Sequence, residues 1–386
     1  MSSNRVLFAC ACLGLLVFGI TLTTLGAVLP AVIEQFGIEK SDAGALFLLL
    51  TAGILGGSLV FGPTVDRYGY KWLLLGAMAL VAIGLEGIAF APSLWLLRTS
   101  IVLIGFGGGV INGAANALVA DISAGERGAN LNLLGVFFGV GAMGVPLGLA
   151  LLGGRFTHAA LIAGVGALVV VSLAFIVVTT FPAPKQPQGF PLVAAGGLVR
   201  DPVLLLMGFM LFLQSGLEIT VGGWTSTFVS EELVIGGRGA LFLLSLYWMG
   251  MMLARVAVGY ILRRTAPFPV LYACLVIALS GSAMLLTTRS VPVAAVGVFL
   301  LGAGFAAMFP TVLGFIGDRY ATLSGTAFSI AIVMALTGGM MLPYAAGIVG
   351  GSFGMRASFL IVPLALLSLA ALLQILARGL RTSPPA

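Results

Sequence analysis

Charge is what this sequence has least of. Only 8% of its 386 residues are Asp, Glu, Lys or Arg, against about 25% in an average soluble domain. Too little polar material remains to cover a water-exposed surface, which excludes a soluble enzyme, a nucleic-acid binder and a disordered scaffold. Cysteine occurs three times and histidine once. Cys10 and Cys12 lie two apart on one apolar segment and Cys274 on another, so they read as buried thiols without metal-ligand spacing. His158 falls in a loop and reads as solvated. No nucleotide-binding loop, metal cluster or nucleophile–base pair is present, which leaves ATP-driven pumping and membrane enzymology without support and implies no cofactor. The period-two alternation of a membrane β-barrel is missing too.

What the chain has instead is 60% hydrophobic residues, 55 glycines and a mean hydropathy of +1.19. A membrane-crossing helix takes about 20 apolar residues, so the length accommodates roughly 12–14 of them. Apolar runs between charge and turn signals predict twelve helices and an all-α integral membrane fold. Six fall at 6–33, 43–63, 72–91, 94–121, 129–153 and 158–181. Six more fall at 203–229, 238–262, 268–287, 291–317, 324–350 and 356–378. The longest polar break holds Pro182, Pro184, Lys185, Pro187 and Pro191, and it divides the chain into bundles at 1–181 and 203–386 with a linker at 182–202. The first apolar run continues without a break to about Leu29, which favours a retained helix over a cleaved signal.

Basic residues predict the orientation. Eleven lie in loops on the side of the termini (Arg5, Arg67, Lys71, Arg127, Lys185, Arg200, Arg263, Arg264, Arg319, Arg378 and Arg381), and six lie opposite (Lys40, Arg98, Arg155, Arg238, Arg289 and Arg356). The excess places both termini in the cytoplasm, with Arg255 left inside a span. The two halves also repeat. An offset of 264 − 67 = 197 relates Arg67 to Arg264, Asp121 to Asp318, Glu34 to Glu231 and Pro146 to Pro343. It also relates Gly19 to Gly216, Gly26 to Gly223, Gly62 to Gly259, Gly105 to Gly302, Gly107 to Gly304 and Gly141 to Gly338. Two six-helix halves in parallel repeat are a transporter architecture.

Between the second and third spans the chain reads Gly62-Pro-Thr-Val-Asp66-Arg67-Tyr-Gly69-Tyr-Lys71. Its glycines permit a tight turn against a helix end, and its charges suit a helix N-terminus and a carboxylate such as Asp121. This stretch resembles the G-x-x-x-D-R-x-G-x-K/R loop of the major facilitator superfamily. The resemblance implies twelve helices in two pseudo-symmetric bundles, with Gly62, Asp66, Arg67, Gly69, Lys71 and Asp121 as a cytoplasmic gate; solvated topology charges are the alternative. Gly105 to Asp121, Asn132 to Gly141 and Gly302 to Pro310 are similar to the fucose/glucose–proton symporter group. That group has carboxylates where this chain has Asn112 and Thr23, and a substrate-contacting asparagine where it has Phe138. Gly144-Val-Pro146-Leu-Gly148, and Val102 in place of an arginine, depart from the drug–proton antiporters.

A charge at mid-membrane costs at least about 2.5–3.5 kcal/mol, which makes it a functional candidate. Glu218 lies mid-span in the seventh segment, with Gln214 one turn away on the same face. Gly222 and Gly223 suggest a discontinuous helix there, and Trp224 offers a platform for a sugar ring. The bland alternatives are a structural buried carboxylate and a packing tryptophan. Asn112 and Asn116 share a face of the fourth span, and unpaired amides in hydrocarbon are costly. Glu86 lies near the outer interface. The expected function is alternating-access transport of a small polar solute, a monosaccharide or polyol, bound by Asn112, Gln214, Glu218 and Trp224, with Thr23 and Asn116 secondary and Glu218 carrying a coupling proton. The alternatives are an exporter of amphipathic compounds, an uncoupled sugar facilitator and a non-transporting receptor. The expected partners are the solute, protons and the lipid bilayer, with no nucleic acid, and the chain is expected to be a monomer in a cell membrane.

Overall fold

The computed structural model describes residues 4–123, 127–182, 198–320 and 324–382, and among them regular structure is entirely helical. Twelve helices are long and apolar enough to cross a membrane. In the first half these are α1 (Asn4–Phe36), α2 (Lys40–Phe61), α3 (Arg67–Ala89), α4 (Leu94–Ile122), α5 (Leu133–Leu152) and α6 (His158–Val178). In the second they are α7 (Pro202–Glu232), α8 (Gly237–Ile261), α9 (Pro267–Thr287), α10 (Val291–Arg319), α11 (Ala327–Phe353) and α12 (Met355–Arg378). Twelve crossings return the chain to the face it started from, called here the terminal face. Most of the expected linker, 183–197, and the side chain of Asp66 lie outside the described residues, and Gly62 lies on helical backbone.

Local chemistry explains the breaks. Helical structure runs from Lys40 to Ala89, and Gly69 interrupts it with φ 77 and ψ 171, a backbone that needs glycine. Asp201 caps α7, its carboxylate accepting the amides of Val203 at 2.8 Å and Leu204 at 3.1 Å. The discontinuous helix is α10 and not α7: it divides into Val291–Phe305 and Met308–Arg319, just before Pro310. Gly222 and Gly223 leave α7 unbroken and are used for close approach to neighbours.

The sequence repeat becomes a packing repeat. A Cβ added at Gly107 would sit 2.6 Å from the Ala77 carbonyl and 2.8 Å from Val81; one at Gly304 would sit 2.6 Å from the Cys274 carbonyl and from Ala278. The partners are themselves offset, by 274 − 77 = 197 and 278 − 81 = 197. Gly105 abuts the Leu50 carbonyl and Gly302 that of Tyr247, again 197 apart. Without a hydrophobic force between helices in lipid, such close backbone contacts are how spans associate. The two halves are thus copies at the level of individual contacts.

Candidate functional site

A cavity of about 770 Å³ opens toward the terminal face between the halves. Its walls are the start of α5 with the residues just before it (Leu131, Leu133, Val136), the end of α8 with the turn after it (Met252, Arg255, Tyr260, Arg263) and the later part of α10 (Phe309, Thr311, Asp318). The first-half wall is apolar, and the polar groups come from the second half.

At the inner end an ion pair crosses from α8 to α7, with Arg255 Nη2 3.7 Å from Glu218 Oε1. The arginine side chain is the accessible partner at 29% exposed, and the carboxylate lies behind it at 11%. The guanidinium also sits 5.4 Å above the ring of Phe138 on α5, so this site joins the two halves. Phe138 meets Phe18 on one side and Trp248 edge-on at 6.1 Å on the other, and Trp248 meets Tyr247. The Tyr247 hydroxyl donates to the main-chain carbonyl of Glu218 at 3.2 Å. Trp248 Nε1, Arg255 Nε and Thr311 Oγ1 are buried without hydrogen-bond partners. Arg255 and Thr311 line the cavity and Trp248 does not; an unpartnered polar group beside a cavity marks a site that can take a ligand.

The opposite face is shut. Lys40 on α2 and Glu231 on α7 form an ion pair at 2.7 Å across the halves. Beneath it the Ser226 hydroxyl donates to the Gly26 carbonyl at 2.7 Å, and a Cβ at Gly26 would meet the Gly222 carbonyl at 2.5 Å. Phe47 packs on Trp224 with ring centroids 5.9 Å apart. Pro343 removes an amide from the α11 ladder and frees the carbonyl four residues back, at Gly339. Thr51 of the first half donates to that carbonyl at 3.4 Å. Solute therefore has access from the terminal face only.

The Major Facilitator Superfamily profile matches residues 11–335. The chain belongs to the major facilitator superfamily. It is similar to sodium-dependent glucose transporter 1A of Mus musculus, at 23% identity over 373 residues, covering 87% of each chain. In fold it is similar to a D-xylose-proton symporter, with a TM-score of 0.80 at 14% identity over 96% of this chain and 97% of that one. A nucleoside transporter, NupG, superposes with a TM-score of 0.80 at 16% identity, covering 97% and 99%. Superfamily membership makes this a multi-pass transporter rather than an enzyme.

The superfamily fold disperses several residues that the sequence singled out. Gln214 lies beside Glu218, but its amide already donates to the Phe305 carbonyl at the α10 break, 3.1 Å away. Trp224 is fully buried in the closed face, its ring N–H on the Pro343 carbonyl at 3.0 Å. Thr23 is buried on the Gly19 carbonyl at 3.0 Å. Asn116 donates to the Asn112 carbonyl and side-chain oxygen at 2.8 and 3.0 Å, so these amides satisfy one another on the terminal half of α4. Neither asparagine lines the cavity. Glu86 packs against Gly166 of α6. In the loop region the Tyr70 hydroxyl donates to Asp121 at 2.7 Å, Lys71 to the Val177 carbonyl at 2.7 Å, and exposed Arg67 lies 5.3 Å from the Tyr68 ring.

Sequence reasoning missed Tyr247, Trp248 and Thr311, and it left Arg255 without a role. Two signals were present. Trp248 and Arg255 are seven apart and share a helix face. The repeat also fails at the site, since 218 − 197 = 21 is a threonine and 255 − 197 = 58 is a serine. At these two positions the halves diverge, and only the second carries charge.

Proposed function

We propose that this transporter carries a small hydroxylated solute of about monosaccharide size together with a proton, and that Glu218 is the proton carrier. The observation that supports this most is the Glu218–Arg255 pair at the closed end of the cavity, inside a membrane span where charge is costly. Arg255 and Thr311 line the cavity and carry polar atoms without partners, and the buried ring of Phe138 braces the guanidinium from below. The positive-inside excess puts the termini in the cytoplasm, so the structure is the inward-open state. The Lys40–Glu231 side is then the outer gate, and Asp66, Arg67, Gly69, Lys71 and Asp121 are the inner gate that closes when the halves rock the other way. Gln214 orders the wall behind Glu218 through its bond to the broken α10.

Proton-driven accumulation in proteoliposomes tests this reading. Glu218→Gln is expected to abolish accumulation driven by a pH gradient while exchange of solute between two loaded sides persists. Equal accumulation by the variant and the wild type would remove Glu218 from coupling. A panel of sugars and polyols in a thermal-shift assay locates the solute, since a ligand of the folded state raises the melting temperature by mass action.

A further inference from the structure

The cavity presents an arginine side chain, Arg255, to whatever enters it. Arg255 Nη2 and Glu218 Oε1 are 3.7 Å apart, beyond hydrogen-bond range, so the pair attracts by charge without using the guanidinium's N–H groups. Arg255 Nε is buried without an acceptor, the guanidinium is a donor only, and of the unpartnered donor-only groups Arg255 is the one whose side chain is on the cavity wall. The missing partner must therefore bring oxygen acceptors, and a planar carboxylate is what a guanidinium fork fits best. The solute meets the arginine first, because the arginine is on the cavity wall and the carboxylate is behind it.

Charge bookkeeping points the same way. The cavity wall carries Arg255 and Arg263 against Asp318. With Glu218 ionised, Arg255 is compensated from behind. With Glu218 protonated, Arg255 is left as an uncompensated cation, and an anion entering the cavity restores neutrality. A neutral solute would leave that cation bare. The groups facing Glu218 from α8 are Arg255 and Tyr247. The other helices packed on α7, namely α1, α2, α10, α11 and α12, hold their charges near their ends, at Arg5, Glu34, Lys40, Asp42, Asp318, Arg319, Arg356 and Arg378. Among the described residues the ion pair of Arg255 is with Glu218, and Asp318 faces the same cavity with Arg263 to balance it.

Resting on the proposed transport reading, we infer that the solute is a hydroxylated monocarboxylate of about monosaccharide size, an aldonate or uronate in chemical class, which takes the Arg255 fork as a proton joins Glu218. One negative charge and one proton then cross together, and transport is electroneutral. The proton and the carboxylate each favour binding of the other, as linkage requires.

The test uses the intact protein in proteoliposomes with gluconate and glucuronate as probes, beside glucose and sorbitol. The acids are expected to raise the melting temperature and the neutral compounds not to. A pH gradient should drive gluconate accumulation, and a potassium–valinomycin potential alone should not. Arg255→Gln should weaken acid binding by about tenfold or more, with Arg255→Lys intermediate. Glu218→Gln should bind gluconate at both acid and alkaline pH, losing the wild type's preference for acid. Binding or potential-driven uptake of glucose equal to that of gluconate would overturn the inference and leave the transport reading standing. A folded protein that neither binds nor moves any of the four would overturn both.

Discussion

Gly302 tests whether the contact-level repeat is what holds the site together. In Gly302→Ala the new Cβ would lie 2.9 Å from the Tyr247 carbonyl carbon and 3.0 Å from the Met251 nitrogen, and it would overlap the Tyr247 carbonyl oxygen. Ordinary contact begins at 3.4 Å, and backbone atoms cannot rotate away as a side chain can. Helices α8 and α10 must therefore part by about half an ångström or more, an overpacking cost of about 1–3 kcal/mol. Alanine returns about 0.5–1 kcal/mol through its better helix propensity. Gly144→Ala is the control, because nothing lies within 4 Å of its added Cβ and only the favourable term remains. The two variants should separate by about 2 kcal/mol, or several degrees in melting temperature for a body of this size. Displacing Tyr247 also disturbs its 3.2 Å bond to the Glu218 carbonyl, so solute uptake should fall in Gly302→Ala and stay unchanged in Gly144→Ala. Thermal unfolding in detergent and uptake in proteoliposomes read the two effects. A Gly302→Ala protein at least as stable as Gly144→Ala would refute the packing argument.

Three further outcomes are expected. Lys40→Ala removes a partly exposed cross-half ion pair worth about 0.2–1 kcal/mol, so opening of the closed face should increase by about 1.4- to 5-fold; maleimide labelling of a cysteine placed at Phe47 measures it, and the reversed pair Lys40→Glu with Glu231→Lys should restore wild-type labelling. Asp201→Ala loses two N-cap bonds and should cost about 1 kcal/mol in thermal unfolding. The same carboxyl gives a signed pH effect: partial burial acts to raise its pKa, but the amides of Leu204 and Val203, the nearby Tyr320 hydroxyl and the Arg319 charge outweigh it and hold the group below its ordinary 3.8. Its contribution is therefore complete above that value and lost as pH falls through the lower folded one, and Asp201→Asn should flatten that acid limb of the stability profile.

The Trp224 and Asn112 expectations show where sequence reasoning reached and where it stopped. Both residues were polar or amphipathic groups in an apolar setting, and both needed partners. The sequence could say that a partner was required but could not say which group supplied it. Trp224 found the main-chain carbonyl of Pro343 on α11, and Asn112 found Asn116.

By itself the sequence determined the all-helical membrane fold, the twelve crossings and the duplication. Span hydropathy is a sum over consecutive residues, and a repeat is a comparison of positions, so neither needs coordinates. The offset also paired the glycines in sequence, while the carbonyls beneath them, such as those of Leu50 and Tyr247, emerged only from the packing. Only the tertiary structure decided that Arg255, 255 − 218 = 37 residues further along the chain, faces Glu218, and that Phe138 of the other half lies beneath it. It alone decided which end of the molecule is shut. Those facts depend on how separate helices are rotated and seated against each other, and in a chain this apolar the hydrophobic pattern leaves that rotation to glycine contacts and to a handful of polar groups.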